Sequence, residues 1–212
     1  MIITKKDLEF YIAADRVMNG YPAFRSIKTW IVESMLVGGG KTLVIRYLYR
    51  LRRYAYYKNN HNNLFSFNSV MMLLTRYKLN KLAVKLGFSI GPNSLGYGVV
   101  IPHYGTIVVN DDARIGNFAV LHTCTCIAGG NKEIGDGFYL STGCQVVGPL
   151  IIGDGVTVAA HSLVNKSFKG NTLIAGVPAL EKSTGRQVWY EKEERYAEAI
   201  KRIDKIREII YE

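Results

Sequence analysis

The chain has 212 residues, 48% of them hydrophobic and 21% charged, and carries 27 Lys+Arg against 17 Asp+Glu, for a net charge of +10. That composition buries a core and excludes a disordered tail, and the cationic surplus calls for an anionic partner: nucleic acid, a membrane surface or a phosphate-bearing ligand. Three cysteines without a framework argue against disulfide dependence and for a reducing cytosol.

In chain order, the start MIITKKDLEFYIAADR is not a signal peptide, because its charges interrupt any apolar core. No stretch of 18 uncharged apolar residues follows, so no spanning helix is expected. Phe24 to Val37 places Ile27, Trp30, Ile31, Met35 and Leu36 near a 3.6 period, and Gly38–Gly40 breaks it. Leu43 to Tyr57 reads as a second helix with Arg46, Arg50 and Arg53 on one stripe. Ser66 or Asn68 caps a third, running to Leu86 and ended by Gly87. Between Glu33 and Asp111 no acidic residue occurs, while Lys41, Arg46, Arg50, Arg52, Arg53, Lys58, Arg76, Lys78, Lys81 and Lys85 do. The surplus therefore belongs to the helical N-terminal part. That part lacks a helix-turn-helix or an aromatic stacking motif, so nucleic acid is not expected.

From Ile90 to Lys166 aliphatic residues recur every six: Ile115, Leu121, Ile127, then Ile134, Leu140, Val146, Ile152, Val158 and Val164. One gap of seven falls at Gly129–Lys132. Upstream, Leu95, Ile101 and Ile107 keep the step, and a two-residue excess at Asn110–Asp112 separates them from Ile115. A six-residue period fits a parallel β-helix of hexapeptide repeats, three to a triangular coil of 18. The aliphatic points inward, and the glycine that often follows it relieves crowding at the corner. About four coils fit, and both ends need caps. The expected division is a basic helical domain 1–87, a β-helix 88–180 and a helical tail 181–212. In the tail, Glu191/Arg195 and Glu198/Arg202 stand four apart on a helix from Gln187 to Tyr211.

From Ser89 to Ala179 the sequence resembles the hexapeptide-repeat acyltransferases with a left-handed parallel β-helix, in their serine acetyltransferase-like branch, which includes polysaccharide O-acetyltransferases. The segments that carry the resemblance are Gly98–Val109, read GVVIPHYGTIVV, and the closing Ala175–Ala179, read AGVPA. It implies that His103 is the catalytic histidine. A hydroxyl is a poor nucleophile near neutrality, and a neutral imidazole takes its proton as it attacks the thioester of acetyl-CoA, typically worth about 10²–10⁴-fold. The oxyanion needs a donor, and the Gly129–Gly130 turn is the candidate. The resemblance implies CoA contacts at Gly130, Thr142, Ala160 and Ser162, with Lys166 for a phosphate. It also implies a homotrimer with CoA between subunits, and further association through the N-terminal helices as an option.

Three positions depart from serine acetyltransferases. Ser89 stands where their histidine has an aspartate partner, Pro102 where an acidic residue precedes the histidine, and Asn131–Glu133 where a longer loop carries an Arg-His pair. A free amino acid needs partners for both its charges, since buried unpaired charge is costly. The sequence reading therefore prefers a sugar hydroxyl of a surface polysaccharide or its precursor, with serine as the alternative. The basic helices would then face an acidic glycan, or the inner face of an anionic membrane from a cytoplasmic location. A zinc site is the competing chemistry, with His61, His103, His122 and His161 available. However, His161 falls two coils from His122, about 10 Å at ~4.8 Å per strand, against Zn–N bonds of about 2 Å, so no metal is expected. A non-enzymatic scaffold on an anionic surface is the reading from another class.

Overall fold

A computed structural model gives the architecture, and it describes all residues except 27–30, 32–38, 62, 64 and 65. The expected helix over Phe24–Val37 lies mostly outside the described residues. Three N-terminal helices are described in full: α1 (Lys5–Met18), α2 (Gly40–Asn59) and α3 (Phe67–Leu86). The last two match the sequence expectation. α3 starts under the Ser66 side chain, which accepts from Ser69 N, and stops at Gly87, whose φ of 77° needs a residue without a Cβ. α1 was not anticipated. Its signal is a capping box, in which Thr4 Oγ1 accepts from Asp7 N and the Asp7 carboxylate accepts from Thr4 N. The tail helix α4 (Glu194–Tyr211) begins later than expected, after a single 3₁₀ turn at Trp189–Glu191.

Between the helices the chain winds as a parallel β-helix. Short strands stack into three faces. The first holds β1 (Phe88–Ile90), β2 (Ile107–Val109), β5 (Thr125–Ala128), β8 (Gln145–Val147) and β11 (Leu163–Val164). The second holds β4 (Val120–Leu121), β7 (Tyr139–Leu140), β10 (Thr157–Val158) and β12 (Leu173–Ala175), edged by the antiparallel β13 (Leu180–Ser183). The third holds β3 (Ala113–Ile115), β6 (Lys132–Ile134) and β9 (Leu150–Ile152). Five strands on the first face make one coil more than the four expected, because Phe88–Ile90 already belongs to the stack. The repeat aliphatics form the core: Ile127, Leu140, Val146, Val158 and Val164 are fully buried. The glycine after the aliphatic has a concrete reason. A Cβ on Gly135 would lie 2.1 Å from Asp154 Oδ1, because that carboxylate turns inward to accept from Asp136 N.

The register corrects the position of the two-residue excess. Val109, not Ile107, pairs with Ile127, and Ile90 pairs with Val109. The extra residues therefore sit between Ile101 and Val109, at Pro102–Gly105, and not at Asn110–Asp112. The corner that carries His103 is the long one.

The helices are fastened to the first coil by a buried ion pair. Arg52 Nε donates to Asp15 Oδ2 at 2.8 Å, with the two side chains 1% and 2% exposed. The same guanidinium donates to the carbonyls of Leu95 and Gly96, and Asp15 Oδ1 accepts from Val99 N. The guanidinium so placed is no part of a free basic stripe. Against the other side, α1 and α4 run antiparallel. Tyr211 O–H donates to Asp7 Oδ1 at one end, and Ala199, Ile203, Ile206 and Ile210 pack with Phe10, Ala13, Ala14 and Val17.

Candidate active site

His103 stands exposed on its lengthened corner, two residues after the buried Ile101. The corner is stitched to the end of α3. Gly105 N donates to Leu86 O at 3.0 Å and Ile107 N to Gly87 O at 3.0 Å, which supplies donors to carbonyls that a helix C-terminus leaves open. Tyr104 lies over Gly40 at the start of α2, where a Cβ would fall 2.6 Å from its ring. The imidazole of His103 makes no hydrogen bond to any described residue.

Directly below, His122 occupies the next coil, half-buried, with Nε2 2.8 Å from the Tyr139 hydroxyl. Burial, and then the charge of His103, push its pKa below the ordinary histidine value. Both effects favour the neutral form of His122. His161 lies further along this ridge, its ring against Gly143. Among the described residues no cluster of three or more His, Cys, Asp or Glu is placed around a common metal position.

His103 opens into a cleft of about 680 Å³. One wall is the end of α1 and its loop, Val17–Tyr21; another is Lys41; the third is α4, with Arg195, Tyr196, Glu198 and Arg202. Sequence reasoning missed these three charged residues of α4, because no local pattern ties a tail helix to a corner some ninety residues upstream. The expected pairing within α4 also differs. Arg195 Nε bonds Glu193 Oε2 at 2.9 Å rather than Glu191, and the side chains of Glu198 and Arg202 bond no described residue.

The other candidates divide into two groups. Thr142 and Ala160 lie on the His103 corner: Gly143 N donates to Thr123 O and His161 N to Thr142 O, so these turns stack beneath it. Ser162 shares the ridge but is buried, and its hydroxyl is already used, donating to Ala159 O and accepting from Gly176 N. It is a structural bracket rather than a free ligand. Gly129, Gly130 and Lys166 lie on the next corner, across the first face, so one chain does not bring them to His103. Lys132 underlies that second corner, and sequence reasoning assigned it no role. Its buried ammonium donates to the carbonyls of Ala128, Gly129 and Gly130 at 2.7, 2.8 and 3.2 Å. Burial pushes its pKa below the usual lysine value.

A parallel β-helix with a histidine on an enlarged corner over a polar cleft defines a class, the hexapeptide-repeat proteins. Within it the chain is similar to serine acetyltransferases. It is 32% identical over 121 residues to serine acetyltransferase 2 of Arabidopsis thaliana, covering 53% of this chain and 37% of that protein. It is 33% identical over 109 residues to serine acetyltransferase 4 of the same plant, covering 47% and 30%, and 27% identical over 111 residues to the serine acetyltransferase of Staphylococcus xylosus, covering 48% and 51%. The chain thus spans a third to a half of the length of the curated relatives it matches. Among solved structures, a serine acetyltransferase in complex with CoA superposes with a TM-score of 0.56 at 20% identity, covering 84% of this chain and 74% of that one. The Neisseria gonorrhoeae serine acetyltransferase gives 0.54 at 17%, covering 86% and 79%. These two likenesses bear on the fold. No protein-family profile matches the chain.

Proposed function

We propose that the chain is an acetyl-CoA-dependent O-acetyltransferase with His103 as general base. The carrying observation is the position of His103: exposed, at the mouth of the polar cleft, on the same ridge as the Thr142 and Ala160 turns. In the reaction the acceptor hydroxyl oxygen forms a bond to the thioester carbonyl carbon while His103 takes its proton. The C–S bond then breaks, and the proton passes to the departing CoA sulfur. Neutral His122 beside it supplies a polar floor without adding a second positive charge.

For the acceptor, the relatives favour serine over the polysaccharide sugar preferred from the sequence. The three departures at Ser89, Pro102 and Asn131–Glu133 remove charged groups near the histidine, yet the cleft regains both signs of charge from α4. CoA would bind along the His103 ridge, with Gly129, Gly130 and Lys166 supplied by the matching corner of a neighbouring copy in a homotrimer. A peripheral contact with an anionic membrane is favoured by the exposed apolar face of α3. Among the described residues no helix is long and apolar enough to cross a membrane.

The test is release of free CoA thiol from acetyl-CoA in the presence of L-serine and, separately, of sugars. Wild type should release thiol in an acceptor-dependent way, and His103→Ala should fall by at least about 10²-fold. Equal rates in the two proteins would remove His103 from the chemistry.

A further inference from the structure

We propose that α4 supplies the acceptor-recognition site, Glu198 taking an ammonium group and Arg202 a carboxylate, so that the acceptor class is a free amino acid with a side-chain hydroxyl. This rests on the acetyl-transfer reading of the His103 cleft.

The geometry is that of one helix face. At 100° per residue, Arg195, Glu198 and Arg202 fall within an arc of about 60°, and all three line the cleft with His103. Glu198 and Arg202 are one turn apart, about 6 Å along the axis. The ammonium and carboxylate of an amino acid share one carbon, so its two charges fit across one helical turn. The helix is anchored behind this face by Ala199 and Ile203, which are buried against α1.

The charges are available. Arg195 is engaged by Glu193 and by the Tyr196 hydroxyl. Glu198 and Arg202 are exposed, and neither has an ion-pair or hydrogen-bond partner among the described residues. Residues four apart with opposite charge commonly pair on a helix surface. Here both point into a cleft instead, and a zwitterion satisfies both at once. A neutral sugar would leave each charge facing only hydroxyls, and closing the site over it would strand them. Lys41 on the facing wall adds positive charge, which suits a carboxylate better than a neutral group.

The experiment measures KM for acceptor and for acetyl-CoA separately, on the full chain, with L-serine, L-serine methyl ester (no free carboxylate) and 3-hydroxypropionate (no ammonium). Glu198→Gln should raise the KM for serine at least about tenfold while leaving that for acetyl-CoA within twofold. Its effect should vanish with 3-hydroxypropionate. Arg202→Met should do the same for serine and lose its effect with the methyl ester. Lys201→Met, on the same helix but outside the cleft, should change neither constant. If the two cleft variants leave serine KM alone, or raise the KM for acetyl-CoA instead, the assignment falls. If wild type acetylates a neutral sugar and not serine, the amino-acid assignment falls while acetyl transfer stands. If wild type binds no CoA, the underlying reading falls with it.

Discussion

Lys132 shows how a single buried charge shapes a surface. A lysine 1% exposed is rare unless its charge is paired or fully bonded. Here all three ammonium hydrogens are taken up by three consecutive carbonyls. Because a peptide unit is planar and trans, each carbonyl drawn inward turns the following N–H outward. The turn at Gly129–Gly130, with φ of 78° and 83°, thus presents its amides to solvent, as a candidate anion donor requires. Lys132→Met keeps the stem and removes the charge. Three carbonyls then lose their partner, and stability should drop by about 1–3 kcal/mol, read from urea unfolding followed by circular dichroism. An unchanged midpoint would mean that the carbonyls find other donors and that the ammonium does not hold the turn.

At the scale of the element, α3 carries the cationic surplus in its most exposed form. Its inner face buries Thr75, Leu79, Leu82 and Leu86. Its outer face exposes Phe67, Val70, Leu73, Leu74, Tyr77 and Val84, with Val84 85% exposed. On a helical wheel these fall in one arc of about 120°, and Lys78, Lys81 and Lys85 lie within or beside it. Apolar and aromatic residues with lysines among them suit the boundary of an anionic bilayer. The expected stripe on α2 is partly engaged: Arg50 donates to Lys78 O, and Arg53 donates to the Tyr49 and Tyr57 hydroxyls. Wild type should sediment with vesicles containing phosphatidylserine and not with purely zwitterionic ones. Leu74→Glu with Lys81→Glu should abolish that binding without changing the rate on soluble substrates. Binding that ignores lipid charge would make α3 a plain cap.

The β-helix was readable because a six-residue period survives in the residues themselves, whatever packs around it. Its phase was harder to read. Ile107 and Val109 stand two apart and are both buried, so the pattern alone allowed the extra residues on either side of them, and only strand pairing decides. α1 carries a capping box and a buried stripe at Phe10, Ala13, Ala14, Val17 and Met18, but two of those five positions are alanines, which makes the apolar signal weak. The α4 wall of the cleft had no local signal at all, since it arises from antiparallel packing of the two ends of the chain.

For the molecule as a whole, the separation of the two candidate groups onto neighbouring corners makes assembly a matter of chemistry. A lone chain has His103 on one corner and the Lys132-held turn on another. In the proposed homotrimer each corner would meet its complement on the next copy. The prediction is that equilibrium sedimentation finds three chains. It also predicts that His103→Ala and Gly130→Trp, each inactive alone, recover activity when unfolded together and refolded as a mixture. Activity in a monomer, or no recovery in mixed assemblies, would place the whole site within one chain.

The long corner at Pro102–Gly105 has a consequence for where such a solenoid tolerates novelty. A coil in the middle of the stack is bonded above and below, so an insertion there disturbs two ladders. The His103 corner has a coil on one side only. On the other it meets the C-terminal end of a helix, whose Leu86 and Gly87 carbonyls accept the amides of Gly105 and Ile107. The stack is a periodic lattice, and its reactive position coincides with its boundary defect. Loops of other lengths could be grafted at that seam with little loss of order in the coils below, whereas the same graft at Ser141–Gly143 would divide the stack in two.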